Sequence, residues 1–303
     1  MSTSNAPASP LVGAGSSLGV IGAGVMGRTL LRGLLDTGAV TRDQVWAAAK
    51  SQSSCDAAAA ELGVRVVTDC RALVPEADLL LLCVKPKQAA QVMATLRAGG
   101  LRPDTLLISI LAGATTARLE EALGTRNPWV RAMPNTPCVV GEGMTVICPG
   151  SHADAGHMAR AQRIFAAVGH CLATDESYFN AITALSGSGP AYQYLIMEAF
   201  ADAAVRVGLP RQLALTLVAQ TAVGAARMVQ KTGRHPAALR DDVTTPAGCT
   251  IGGLLMLEDG KIRSVLARAI EEATKIAGQL GPPPVTAGET EAAAAAPGKK
   301  TRG

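Results

Sequence analysis

From residue 18 to about residue 175, short apolar runs alternate with amphipathic stretches of about ten to fifteen residues. Few folds accept that rhythm. Each run is long enough for one buried strand and each stretch for one covering helix, which specifies strand-helix units wound about a parallel sheet. Strands are expected at 18–21, 45–48, 64–67, 79–84, 106–110, 129–132 and 144–148, with helices in the intervals. A helix at 153–168 and a short strand at 171–173 close this half. After about residue 176 a helical period takes over, and helices are expected at 179–185, 190–207, 211–231, 236–242, 250–257 and 264–280. The organisation expected is a sheet domain at 18–175 and an all-helical domain at 176–280. A disordered leader is expected at 1–17 and a disordered, solvated tail at 281–303, where a Pro triplet, an Ala run and Lys299-Lys300 stand.

Composition excludes several classes. With hydrophobic residues at 48% and charged residues at 17%, the chain is too apolar to stay disordered. Its longest apolar runs, 79–84 and 105–112, fall short of the roughly 18 residues a membrane span needs, so no membrane partner is expected. The leader carries neither Lys nor Arg, unlike secretory or transit peptides. A formal charge of +4 is spread along the chain without a basic stripe, which argues against nucleic acid. The 7 cysteines form no Cys-x-x-Cys pair and the 4 histidines do not cluster with them. No metal site and a reducing, cytoplasmic setting are the expectation.

Chemistry first becomes legible at residues 18–27. There Gly22, Gly24 and Gly27 form a Gly-x-Gly-x-x-Gly array directly after the first strand, at the mouth of a helix carrying Leu30, Leu31, Leu34 and Leu35. The first glycine permits a tight turn, the second a close approach of backbone to a pyrophosphate, and the third close packing of helix on strand. A merely glycine-rich turn has the same composition; the strand-turn-helix context favours the nucleotide reading. Gly22, Gly24, Val25, Met26 and Gly27 are therefore expected cofactor contacts, and the fold class is α/β with an N-terminal Rossmann-type dinucleotide-binding domain. Beyond the second strand no carboxylate occurs before Asp56, whereas Lys50, Ser51, Ser53 and Ser54 follow at once. An acidic residue there would take a ribose diol, so NADPH is favoured, with Lys50 and Ser51 as phosphate contacts and NADH as second candidate. The serines equally suit the cap of the next helix. Val84, Lys85 and Pro86 after the fourth strand, and Ala112 and Gly113 after the fifth, fall where ligands meet the carboxyl ends of parallel strands. Lys85 reads either as a base or steering charge, or as a solvated lysine before a proline. Asn135, inside Met133-Pro134-Asn135-Thr136-Pro137, could offer its amide to nicotinamide or substrate.

Two stretches of the helical half are unusual. Leu185-Ser186-Gly187-Ser188-Gly189-Pro190-Ala191-Tyr192 reads as a Ser188 cap with Pro190 at the first helical position, permitting close backbone approach or serving as a tight packing point. Val243-Thr244-Thr245-Pro246-Ala247-Gly248-Cys249-Thr250 is a hydroxyl-rich turn opening a helix whose free N–H groups suit a carboxylate, though a structural turn has the same composition.

With the Gly22–Gly27 array, Val84-Lys85-Pro86, Met133 to Pro137, Leu185 to Tyr192 and Asp242 to Thr250 in this order, followed by Gly253-Leu254 and Leu257-Glu258, the chain resembles the pyrroline-5-carboxylate reductases over about residues 18–280. The resemblance implies a helical C-terminal dimerisation domain, at least a homodimer and commonly a ring of dimers, with the active site between one subunit's sheet domain and its partner's helices. It implies hydride transfer from nicotinamide to the imine carbon of 1-pyrroline-5-carboxylate, giving L-proline in the last step of proline biosynthesis. Thr250 matches the family's hydroxyl beside the imine nitrogen and is the expected catalytic residue. Thr245, with the backbone of Gly248 and Cys249, matches the carboxylate-binding turn, and Ser188 falls on the substrate side. The chain departs from the family where Lys231-Thr232-Gly233-Arg234 precede His235-Pro236 without the usual Glu, and where Thr245 and Ala247 stand in place of the common Ser and Gly. Two rival readings are weaker. A beta-hydroxyacid dehydrogenase would need a catalytic lysine in a glycine-rich setting, which neither Lys231 nor Lys275 has. A catalytically silent nucleotide-binding oligomer would not need Thr245 and Thr250.

Overall fold

The strand most shielded from water organises the rest. In a computed structural model, which describes residues 11, 12 and 15–280, the run Ala77–Leu82 is buried between two layers. Leu79 and Leu81 enter one apolar cluster, with Leu18, Val20, Leu30 and Phe165. Leu80 and Leu82 enter the other, with Trp46, Leu107 and Trp129. A strand buried on both faces cannot alternate apolar with polar, which is why this stretch reads as a continuous run.

The sheet has eight strands, β1 (Ser17–Ile21), β2 (Val45–Ala48), β3 (Arg65–Val67), β4 (Ala77–Leu82), β5 (Leu106–Ser109), β6 (Trp129–Met133), β7 (Gly143–Pro149) and β8 (Gly169–Ala173), in the order β3-β2-β1-β4-β5-β6-β7-β8. Register pairs Gly19 with Trp46 and with Leu80. A methyl group on Gly19 would collide with the Trp46 ring, so glycine there is what admits the tryptophan. The helices of this part are α1 (Val25–Asp36), α2 (Gln52–Leu62), α3 (Ala89–Ala98), α4 (Thr116–Leu123), α5 (Ala155–Ala166) and the single turn α6 (Phe179–Ile182).

Two expectations need correction. The sheet is not wholly parallel, because β7 runs antiparallel to β6; and helices do not fill every interval. The β6–β7 connection holds a 3-10 turn, Thr136–Val140, and β3–β4 another, Val74–Glu76. A link as short as the first cannot make the crossover that parallel neighbours require, so the chain reverses. The fourth strand also begins two residues earlier than expected, at Ala77, because Ala77 pairs with Ser17.

The chain forms two compact units, one reaching Gly187 and including residues from Thr274 onward, the other Ser188–Ala273. The first extends past the end of the strand-helix alternation because Phe179, 1% exposed, packs with Val146 and Cys148 on the sheet. Within the segment expected as a leader, Leu11 and Val12 are buried in the first cluster, Arg160 donates to the Leu11 carbonyl at 3.2 Å, and Ser17 opens β1. Residues 1–10, 13–14 and the tail expected at 281–303 lie outside the described residues.

The second unit contains α7 (Gly189–Arg206), α8 (Arg211–Thr232), α9 (Pro236–Asp242), α10 (Cys249–Asp259) and most of α11 (Ile262–Gln279). Helices α7 and α8 pack on each other, with Arg211 donating to Asp202 at 2.7 Å. By length and composition alone, α8 is long and apolar enough to cross a membrane. Single polar residues such as Gln212, Thr216 and Gln220 interrupt every run along it without lowering its mean hydropathy far.

Candidate active site

In the sheet unit β1 lies beside β4, where the strand order reverses, and ligands in such sheets bind beyond the carboxyl ends at that point. A cavity of about 700 Å³ opens there, lined by Gly22 to Gly24, by Lys50, Thr68 and Asp69 to Arg71 at the ends of β2 and β3, and by Val84 and Lys85 after β4. The three glycines differ in what a side chain on each would meet. Gly22 has φ of +109° and a side chain on it would meet the Cys83 carbonyl at 2.6 Å. Gly27 allows no methyl group because the Gly22 carbonyl lies against it. At Gly24 a methyl group would project into open space, so packing does not require glycine there, and the turn has room for a group such as a pyrophosphate to approach its backbone. Gly24 also caps α1 without a side-chain bond, leaving the first N–H groups of the helix uncapped.

Of the expected cofactor contacts, Gly22, Gly24, Lys50, Val84 and Lys85 line this cavity. Gly27 lies beneath the turn, packed on Val20; Val25 is exposed on the first turn of α1, and Met26 packs toward the core. Ser51 caps α2, accepting from the Ser54 N–H at 3.4 Å, and Ser54 rather than Ser51 lines the cavity. Pro86 opens the 3-10 turn Pro86–Gln88, in which the Lys85 N–H donates to Gln88 Oε1 at 3.2 Å.

The turn after β5 carries Ala112 and Gly113, the latter with φ of +74°. The start of α4, a few residues on, is held by a carboxylate distant in sequence. Glu176 accepts from the Thr116 N–H and hydroxyl, both at 2.8 Å, and from Arg131 at 3.0 Å. Arg131, on β6, is 4% exposed, and its guanidinium lies 4.5 Å from the centroid of the Phe179 ring. A buried arginine needs such partners. A charge inside the apolar strand Trp-Val-Arg-Ala-Met was the available signal.

Asn135 also acts within the protein. Its Oδ1 accepts from the Met144 N–H at 2.8 Å and its Nδ2 donates to the Ser186 carbonyl at 3.2 Å. Ser186 sits in a π turn, Thr183–Gly187, that interrupts the helix expected at 179–185. Ser188 does stand at the N-cap of α7, but without the bond expected of a cap. It has helical dihedrals and is followed by Gly189 rather than Pro190 as the first residue of α7.

In the helical unit α9 ends in a braced turn. Arg234 donates to both Asp242 oxygens, at 2.5 and 3.1 Å, which holds that carboxyl below its ordinary pKa. The Thr244 hydroxyl donates to the Arg240 carbonyl at 2.7 Å. Ala247 has φ of +56°, a conformation that strains any residue with a Cβ. The Gly248 N–H donates to the Thr245 carbonyl at 3.1 Å, and the Thr245 hydroxyl oxygen lies where a Gly248 side chain would be. Gly248 then caps α10 without a side-chain bond, so the N–H groups of Cys249 and Thr250 open the helix as uncapped donors. Thr250 is half-buried, and Thr245 and Cys249 are exposed.

Cys83 and Cys148 are each pushed up to about 12 by burial, so both stay protonated thiols near neutrality. Among the described residues no group of three or more His, Cys, Asp or Glu could hold a metal.

Comparison with known proteins gives matches in both halves of the chain. Residues 176–280 match a family model described as pyrroline-5-carboxylate reductase dimerisation. Residues 17–113 match one described as NADP oxidoreductase, coenzyme F420-dependent. A pyrroline-5-carboxylate reductase of Methanosarcina acetivorans is 41% identical over 87% of this chain and 97% of its own length. That of Arabidopsis thaliana is 39% identical over 89% and 98%. Among solved structures, the Coxiella burnetii enzyme superposes with a TM-score of 0.81 at 35% identity, covering 88% of this chain and 99% of that one. The Plasmodium falciparum enzyme, solved with NADP bound, gives 0.78 at 30% identity, over 88% and 98%. Identity of this depth across both units shows that the chain belongs to the pyrroline-5-carboxylate reductase family.

Proposed function

We propose that this chain reduces 1-pyrroline-5-carboxylate to L-proline with NADPH, as a homodimer at least. The observation that carries the reading is the turn at the start of α10, where Thr245, Gly248, Cys249 and Thr250 combine hydroxyls with uncapped helix donors. Bound nicotinamide supplies the hydride that reduces the imine carbon. Everything else falls to the protein's own groups. The glycine turn and the first N–H groups of α1 hold the pyrophosphate; Val84, Lys85 and the Ala112-Gly113 turn border the same strand ends. The Cys249 and Thr250 N–H groups, with the Thr245 hydroxyl, hold the substrate carboxylate. The Thr250 hydroxyl orients or relays the proton that the ring nitrogen takes up. The reaction needs alignment and one proton donor, so no nucleophile has to be activated.

NADPH is preferred in this reading because the end of β2 offers Lys50 and hydroxyls where a diol-binding carboxylate would stand. Dimerisation is supported by the apolar surface of the helical unit, which exposes Tyr194, Leu195, Phe200, Leu217 and Met256, and further closure into a ring of dimers is part of the same proposal. A cytoplasmic location follows as part of the same proposal. The decisive test is initial rates of nucleotide oxidation on adding the cyclic imine, with NADPH and NADH in parallel. Turnover with a lower KM for NADPH is expected; well-folded protein that binds nucleotide but leaves the imine unreduced overturns the assignment.

A further inference from the structure

We propose that Asp69 and Arg71 form a paired arm that sets discrimination at the adenosine 2′ position, Arg71 taking the 2′-phosphate of NADPH and Asp69 competing with it for the guanidinium. This rests on the nucleotide reading above, and assigns its specificity to residues beyond Lys50.

Position comes first. The Ala49 N–H donates to the Val67 carbonyl at 2.9 Å, which carries the β2–β3 pairing one residue past Ala48. Lys50 and the segment from Thr68 to Arg71 therefore leave the sheet from adjacent strand ends, and both line the cavity beyond Gly22. Asp69 is the one carboxylate among the lining residues. The acidic group missing after β2 is thus present after β3, but it is engaged. Arg71 reaches it through Nε at 3.0 Å and Nη2 at 2.6 Å, and the Arg71 N–H donates to the same carboxyl at 3.0 Å.

Chemistry decides what the pair can do. A guanidinium fork that meets a carboxylate side-on meets a phosphate in the same way, and the phosphate brings up to about one further negative charge. Both side chains are more than half exposed, 54% for Asp69 and 61% for Arg71, so the fork can be transferred without burying an unpaired charge. In the pair, Arg71 holds the Asp69 carboxylate below its ordinary pKa. With the 2′-phosphate present, Arg71 and Lys50 meet it from neighbouring strand ends. With a bare ribose, Asp69 keeps Arg71 and a phosphate-sized charge is absent from the pair. A purely structural brace makes a different statement, since it would affect all nucleotides alike.

The test is calorimetric titration of the full chain with adenosine 2′,5′-bisphosphate and with adenosine 5′-monophosphate, neither of which carries nicotinamide. Arg71→Ala is expected to weaken the bisphosphate about 10-fold or more while changing the monophosphate less than about twofold. Asp69→Asn, which frees the fork, is expected to tighten the bisphosphate alone, and Arg71→Lys to restore part of the loss. Arg71→Ala that weakens both ligands equally, or neither, overturns the proposal. Should the wild-type chain itself fail to prefer the bisphosphate, the NADPH preference falls first; preference in the wild type that survives Arg71→Ala removes this arm alone. Failure to reduce the imine leaves both results readable.

Discussion

At the scale of single residues, the two half-sites make opposite demands on the backbone. Gly24 is replaceable as far as packing goes, so Gly24→Ala is expected to unfold at the wild-type temperature within about 2 °C yet to bind nucleotide about 10-fold more weakly. Calorimetry with NADPH beside a melting curve checks both parts. Ala247 is the converse, a residue whose own conformation is strained. Ala247→Gly should remove a left-handed penalty of about 1–2 kcal/mol at an entropic cost of about 0.5–1 kcal/mol, a net gain of about 0.5–1 kcal/mol measurable by denaturant unfolding. Thr250→Ala should lower kcat about 10²-fold, as loss of a positioned proton donor does; an unaltered kcat would take the hydroxyl out of the chemistry.

At the scale of elements, the arch formed by Thr116, Arg131 and Glu176 ties α4 and β6 to the segment that leaves β8. Removing the Glu176 carboxylate leaves a nearly buried guanidinium with its ring contact alone. Glu176→Ala is therefore expected to destabilise the chain by about 3 kcal/mol, seen as a lower denaturant midpoint, with Glu176→Gln losing less. Such ties explain what could and could not be read beforehand. The strands and long helices follow from periodicity, which each segment carries by itself. Glycine spacing and the Thr245–Thr250 run are likewise local. Pairings between residues 60 or 45 apart, as for Glu176 with Thr116 and Arg131, have no local signature. The π turn at Thr183–Gly187 escaped because its composition suits an ordinary helix, and the reversal of β7 because its burial pattern does not depend on strand direction. Asp69 was invisible as a 2′ determinant because adjacency of β2 and β3 is a matter of topology.

At the scale of the molecule, the helical unit keeps few side chains from water, and its apolar residues lie outward on α7, α8 and α10. A surface of that kind is stable when a second copy covers it, and α8 is the longest helix that carries it. Leu217→Glu on α8 is expected to shift sedimentation velocity from the assembled species to the single chain; an unchanged coefficient would remove α8 from the interface. One further consequence lies in the π turn. It holds one residue more than an ordinary helical turn would, and Asn135 holds it by donating to the Ser186 carbonyl within it. Losing or gaining a single residue there would swing that carbonyl by roughly 100° about the helix axis and off its anchor. Length in this stretch is consequently counted to the residue, and lineages that carry the fold should vary its side chains far more freely than its number of amino acids.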